Sequence, residues 1–244
     1  VVVRRLTEAL KDRNWATLTL ELFVVVLGVF LGLQAQAWSE ERGRRNLEAD
    51  YTERLHEDVV GLEERRAGLI EAREEWNAGL QSLSPVLFGS VARPITEAEC
   101  RSLALSFIVS NPTDDLGSLL ELQSSGRLSL VRNERIAEAI QSYLLTRARA
   151  RDSQAGISRA MVIVSSEFPY LVRVVAPTDA MVVPPVSGTF ECDLAGMRAD
   201  PAFMNTFEVL QSNFAFHVND NARVSASLDS LHAALDETLG LTHE

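Results

Sequence analysis

The stretch that decides the architecture is residues 16–37, ATLTLELFVVVLGVFLGLQAQA, bounded by Trp15 and Trp38. From Leu22 to Leu33 it holds twelve apolar or glycine residues without a break. At 1.5 Å per helical residue the two indoles stand roughly 34 Å apart, which matches a hydrocarbon core with an aromatic at each interface. A signal peptide has a shorter apolar region and a small-residue cleavage site, whereas here a helical pattern runs straight on through SEERGRRNLEAD. We therefore read residues 1–15 as a short tail and 16–38 as a retained transmembrane helix, with Trp15 and Trp38 as interface anchors.

Four residues inside the span are read as packing positions. Gly28 and Gly32 form a GxxxG pair, which lets two helix backbones approach closely where lipid supplies no hydrophobic drive. Glu21 lies about a turn and a half inside the first Trp, a depth at which a carboxylate is costly. It snorkels to the headgroups, meets a partner in an assembly, or serves a proton pathway. Gln34, with Gln36, hydrogen-bonds between helices or sits at the opposite interface.

Arg4, Arg5, Lys11 and Arg13 precede the span and Arg42, Arg44, Arg45 and Arg54 follow it, so the count that sets orientation is tied. A short tail, an uncleaved apolar segment and a large C-terminal part have the form of a signal anchor, which places that part outside the cytoplasm of a bacterial inner membrane. The 206 residues after Trp38 hold 19 basic and 31 acidic side chains, net about −12, so they offer no basic nucleic-acid footprint.

The anchor also resembles a family. Glu21-Leu-Phe-Val-Val-Val-Leu-Gly28, Leu33-Gln34 and Trp38-Ser-Glu40-Glu41-Arg42 look like the signature of a widespread bacterial family of small single-span membrane proteins of unknown function. The segment Ser124-Ser-Gly126-Arg-Leu128-Ser-Leu130-Val131-Arg-Asn133 is similar to a second element of that family, S-S-G-x-L-x-L-I-x-N. Ala37 and Ser39 stand where the family usually carries Asn. The resemblance covers about 35 residues, implies an anchored helical domain and brings no activity with it.

Beyond Trp38 the sequence reads as all-α. Leu55, Leu62, Leu69, Trp76 and Leu83 recur at sevenfold spacing, which predicts a helix over about 39–84 with one apolar seam. Arg66 and Arg73 interrupt that seam, and we expect their stems to lie on apolar surface with the heads in solvent. Short helices are expected at 96–110, opened by the capping box Thr96-Glu-Ala-Glu99, and at 115–124. Long helices follow at 132–175, with a bend or exposed stretch at RARARDSQ, and at 201–240, opened by Asp200-Pro201. With the first helix running out, the short helices capping its far end, the second returning and the third running out again, the expected result is an elongated antiparallel bundle standing on the bilayer. The loop 176–200 then lies near the membrane surface, where Met181, Val182 and Val183 touch lipid or a partner, or form a short buried strand.

That layout separates Cys100 from Cys192, although an even count in an oxidising compartment favours a bridge. Either the two are unpaired or the loop folds up the bundle. His56, His217, His232 and His243 show no metal-ligand spacing, and no nucleotide-binding or hydrolase motif occurs, so no catalytic residue, metal site or cofactor is assigned. His217 and Asn221, one turn apart on an apolar stripe, form a polar core layer or line a small-ligand pocket with Gln154 or Arg147 opposite. The expectation is a non-enzymatic single-pass protein acting by assembly, with itself or with other integral membrane proteins as an accessory subunit. The alternative is a ligand-sensing domain that signals through a separate partner, since about fifteen residues before the span leave no room for an output domain.

Overall fold

The computed structural model describes residues 15–175 and 188–241. The basic residues Arg4, Arg5, Lys11 and Arg13 and the apolar run Met181–Val183 lie outside the described residues. The chain divides into two compact units, Val1–Tyr51 and Thr52–Glu244, each taken by itself below. Among the described residues it is all-α apart from one two-stranded antiparallel sheet. Helix α1 spans Trp15–Leu87 and contributes to both units. Then come α2 (Glu97–Leu105), α3 (Gly117–Ser124), α4 (Glu134–Ala160), the single turn α5 (Val164–Glu167), strands β1 (Val172–Val175) and β2 (Thr189–Cys192), α6 (Leu194–Ala199) and α7 (Pro201–Leu239).

In the second unit two apolar clusters reveal the direction of each helix. One gathers Leu55, Val59 and Leu62 of α1 with Leu119, with Ile136 and Ile140 of α4, and with Leu228, Leu231 and Leu235 of α7. The other gathers Trp76, Leu80 and Leu83 with Leu103 of α2, Ile157 of α4, and Phe203, Phe207 and Phe214 of α7. Helix α4 thus runs parallel to this part of α1, and α7 runs antiparallel to both, the reverse of the expected order. The cause is the connector. The helix expected over 96–110 ends at Leu105, with Ser106 as its C-cap, and the residues up to Leu116 return along α1 without helical structure. The return leg is therefore complete before α4 begins.

This leg explains the two arginines on the seam, whose heads are not in solvent. Arg66 and Arg73 are 2% and 5% exposed. Arg66 Nη1 donates to the Thr113 carbonyl (3.2 Å), and Arg73 Nη2 donates to the Ser110 carbonyl (2.6 Å) and hydroxyl (3.3 Å). Arg73 Nη1 also reaches the Leu69 carbonyl of its own helix (2.8 Å). An extended segment packed against a helix presents carbonyls that no ladder satisfies, and buried carbonyls need donors. Two guanidinium groups supply them. Burial holds both arginines below the usual guanidinium range. Leu69, expected on the seam, is instead exposed, because at this level the two arginines occupy the inward face.

From the other side the leg is held by α4. The Tyr143 hydroxyl donates to the Asp114 carbonyl (2.5 Å), and Arg151 pairs with the buried Asp114 carboxylate. Arg147 donates to the same carbonyl (3.2 Å) and to Asp115 (3.0 Å). Burial, and then Asp114, push the Tyr143 hydroxyl up to about 12, so it remains a donor. The RARARDSQ stretch therefore neither bends nor stands wholly in solvent. Within a continuous helix Arg147 and Arg151 turn toward Asp114 and Asp115, while Arg149 stays exposed.

Helix α4 ends at Ala160, not near 175. Met161 takes an extended conformation, and after α5 the chain enters β1, which pairs antiparallel with β2 from Val172↔Cys192 to Val175↔Thr189. Phe190 and Met197, from the stretch expected as an irregular loop, sit in the second apolar cluster. Residues 188–199 thus pack at the C-terminal end of α1. There Cys192 meets Cys100 in a disulfide with α-carbons 5.8 Å apart. Of the two alternatives the sequence leaves open, the described part of the loop, from residue 188 on, folds onto the bundle.

Local capping fixes where the helices start. Thr96 and Glu99 form the expected capping box, and Glu99, also held by Arg93 and Ser82, has its carboxyl lowered to about 2, chiefly by the Arg93 hydrogen bonds. Asp200 accepts from the amides of Ala202 and Phe203 to open α7. The Ser124–Asn133 segment is punctuation throughout. Gly126 takes φ +68°, the left-handed position that ends a helix, and the Arg127 amide reaches back to the Leu122 carbonyl (2.9 Å). A 3-10 turn over Leu128–Leu130 follows, and then Asn133 caps α4 through the amides of Arg135 and Ile136.

Candidate functional site

The first unit carries the apolar stretch. From Leu20 to Leu33 its large apolar side chains are 44–64% exposed, which separates it from a core helix of a soluble domain. A side chain placed on Gly28 or Gly32 would meet nothing within 4 Å, so the small-residue face is open. At the end of this stretch Arg42 lies over the Trp38 ring, 5.5 Å from its centroid, and Gln36 donates to Glu40 (2.9 Å). These contacts order the polar side of the segment boundary.

In the second unit His217 and Asn221 are buried together, 1% and 3% exposed. Asn221 Nδ2 donates to the His217 carbonyl (3.0 Å) and to Asn111 Oδ1 of the return leg (3.3 Å), and it lies 3.3 Å from His217 Nε2. Phe214 borders the ring at 6.1 Å. Neither residue expected opposite provides the layer: Arg147 is committed to Asp114 and Asp115, and Asn111 takes the place proposed for Gln154. Sequence periodicity carries no signal for the return leg, and so none for the layer's polar partner Asn111.

Burial, with Arg73 as the second cause, lowers His217 to about 4, so the imidazole is neutral in the folded chain. The sign of its linkage follows. Above about pH 6.5 neither state binds a proton at this ring; between about 6.5 and 4 the unfolded chain binds one and the native chain does not, so stability falls as pH falls. The full loss is about 3 kcal/mol. We expect the urea midpoint of the wild type to drop from pH 7 to pH 4.5 more steeply than that of His217→Leu; equal slopes would remove this residue from the pH response.

A second grouping, which sequence spacing does not reveal, joins α1 to α7 at the other end of the unit. His56 Nε2 lies 2.9 Å from Asp236 Oδ1, and His232 Nε2 lies 3.5 Å from the same oxygen. His232 Nδ1 lies 2.8 Å from Glu63 Oε2. The imidazole rings meet edge to face at 5.1 Å. One ligand atom each from His56, His232 and Asp236 fall within 4.8 Å of one another, a set able to hold a metal ion. The signal in the sequence is only the fourfold spacing of His232 and Asp236; the third member is 180 residues away from Asp236.

These features define an all-α protein with, among the described residues, one helix long and apolar enough to cross a membrane and a disulfide-closed helical unit. No family model matches the chain, and no curated protein or solved structure matches it either.

Proposed function

We propose that this chain is a non-enzymatic, single-pass protein of a bacterial inner membrane that acts by assembly, as a small homo-oligomer or as an accessory subunit of a larger membrane complex. The observation that carries the reading is the apolar stretch of α1, with its large side chains exposed and the Gly28 and Gly32 face open. Exposed apolar surface on this scale is covered by lipid or by another helix, and two glycines one turn apart suit the close approach of a second helix in lipid. Glu21 and Gln34 supply polar groups for contacts between helices in such an assembly, and Trp38 serves as an interface anchor. The resemblance to uncharacterised single-span proteins belongs to the same reading. The Cys100–Cys192 bridge supports an extracytoplasmic second unit, because disulfides persist in oxidising compartments.

The test is native mass measurement on the full chain in mild detergent. Wild type is expected as an oligomer or with a co-purifying membrane protein, and Gly28→Ile with Gly32→Ile is expected to cut the assembled fraction at least tenfold. Monomer alone, with nothing co-purifying, would sink the proposal. A C-terminal reporter active only in the cytoplasm would reverse the orientation.

A further inference from the structure

We infer that His56, His232 and Asp236 form a binding site for a divalent transition-metal ion of the zinc class, with Glu63 as the carboxylate that orients His232. This inference is independent of the assembly reading. The donor set is two imidazole nitrogens and one carboxylate oxygen, the combination that suits borderline cations such as Zn²⁺ and does not suit Ca²⁺ or Mg²⁺.

Geometry supports it at each ligand. Zinc bonds of 2.0–2.1 Å in tetrahedral arrangement put neighbouring ligand atoms about 3.3 Å apart. The separations from Asp236 Oδ1, 2.9 Å to His56 Nε2 and 3.5 Å to His232 Nε2, bracket that value. The three ligand atoms lie within 4.8 Å of one another, so no edge of the set has to close by more than about 1.5 Å; His232 and Asp236 sit one turn apart on the same face of α7, and His56 faces them from α1.

The tautomer also suits a metal. A carboxylate oxygen can only accept, so the contact between His232 Nδ1 and Glu63 Oε2 places the proton on Nδ1 and leaves Nε2, which faces Asp236, as the ligating nitrogen. A carboxylate behind a ligating histidine is the usual outer partner of a zinc site. For His56 the change is equally small. The cation takes the place between Nε2 and Asp236 Oδ1 that a proton now holds, and the imidazole proton moves to Nδ1.

Electrostatics favour a cation here. Glu63 and Asp236 each lie within 2.9 Å of an imidazole nitrogen, Asp229 lines the same groove as Glu63, and Glu63 Oε1 has no hydrogen-bond partner. Three acidic side chains thus gather around two imidazoles, and a divalent ion would offset that excess negative charge. Three protein ligands leave a fourth position for water or for a donor from another molecule. The site joins α1 to α7 at the end of the unit opposite the disulfide.

The test uses the full chain in detergent, stripped with chelator and then titrated with Zn²⁺ against a fluorescent competitor. Wild type is expected to bind one Zn²⁺ per chain, and Co²⁺ in its place is expected to give the strong visible absorption of four-coordinate cobalt. His56→Gln and His232→Gln should each lower affinity at least 100-fold, and Glu63→Gln 10- to 100-fold. Zn²⁺ should raise the Tm of wild type and not that of either histidine variant. Should a histidine variant fail to fold, Asp236→Asn, which keeps shape and a carbonyl acceptor, is measured in its place with the same expected loss. A wild type that binds no stoichiometric Zn²⁺, or binding that survives both histidine substitutions unchanged, overturns the inference.

Discussion

Replacing Cys100 and Cys192 by Ala should lower the Tm of the second unit's unfolding by on the order of 10 °C. The bridge joins residues 92 apart. In the chain-entropy account, closing a loop of that length removes about 4–5 kcal/mol from the unfolded state, and native bridges deliver roughly 2–5. For a unit of this size one kcal/mol moves the midpoint by about 2–4 °C. Alanine is the right replacement because Cys100 is buried among Leu103, Phe203 and their neighbours, where a hydroxyl would add a desolvation cost of its own. Thermal unfolding by near-ultraviolet circular dichroism, with and without reductant, checks the expectation. Wild type treated with reductant should approach the double variant, and a Tm that moves by less than about 2 °C in both arms would show that the bridge constrains little.

Arg73→Ala should be at least as damaging, at about 3–5 kcal/mol. The substitution removes a large buried side chain and leaves the Ser110 carbonyl without the donor it faces across 2.6 Å. It also removes the guanidinium that lies second among the causes lowering His217, so the variant should titrate that histidine closer to its ordinary value. Arg73→Lys tests whether charge alone suffices. One ammonium cannot serve the carbonyls of Leu69 and Ser110 with the planar fork that spans them, so Lys should recover less than half of the loss. Urea unfolding of the three proteins measures it, and a lysine variant equal to wild type would mean that the fork is dispensable.

Both expectations rest on the return leg, which is also where sequence and structure part. Elements whose signals are local are legible. Thr96 with Glu99, Asp200 with Pro201, and Asn133 each open a helix, and the Leu22–Leu33 run reads as one apolar helix. The stripe Phe203, Phe207, Leu210 and Phe214 faces the core as its spacing predicts. What periodicity misses is a segment held by side chains from elsewhere. Residues 106–116 carry no pattern of their own; the carbonyls of Ser110, Thr113 and Asp114 are bonded by Arg66, Arg73, Tyr143 and Arg147, from helices before and after them in the chain. Without that leg the expected directions of α4 and α7 are reversed, and the loop that includes residues 188–199 is expected at the opposite end of α1.

The candidate sites divide in the same way. His217 and Asn221 were visible because both lie on one stripe of one helix, and they are indeed buried together. Their partner Asn111 was invisible because it sits on the return leg. The His56, His232 and Asp236 group depends on α1 and α7 being antiparallel, which the expected layout denied. A layout with those helices parallel would have placed His56 far from His232.

The position of the bridge has a mechanical side. The covalent ring from Cys100 to Cys192 takes in the second part of α2, then α3, α4, α5 and the two strands, while the second-unit part of α1 and all of α7 lie outside it as two arms leaving from the same end. Tension drawing residue 55 away from residue 235 would open the arms like a zipper, starting at His56 and Asp236 and moving toward Cys100. The ring sets a stop. However hard the arms are pulled, the 92-residue span between the cysteines cannot be drawn out, so the recoverable extension belongs to the arms alone.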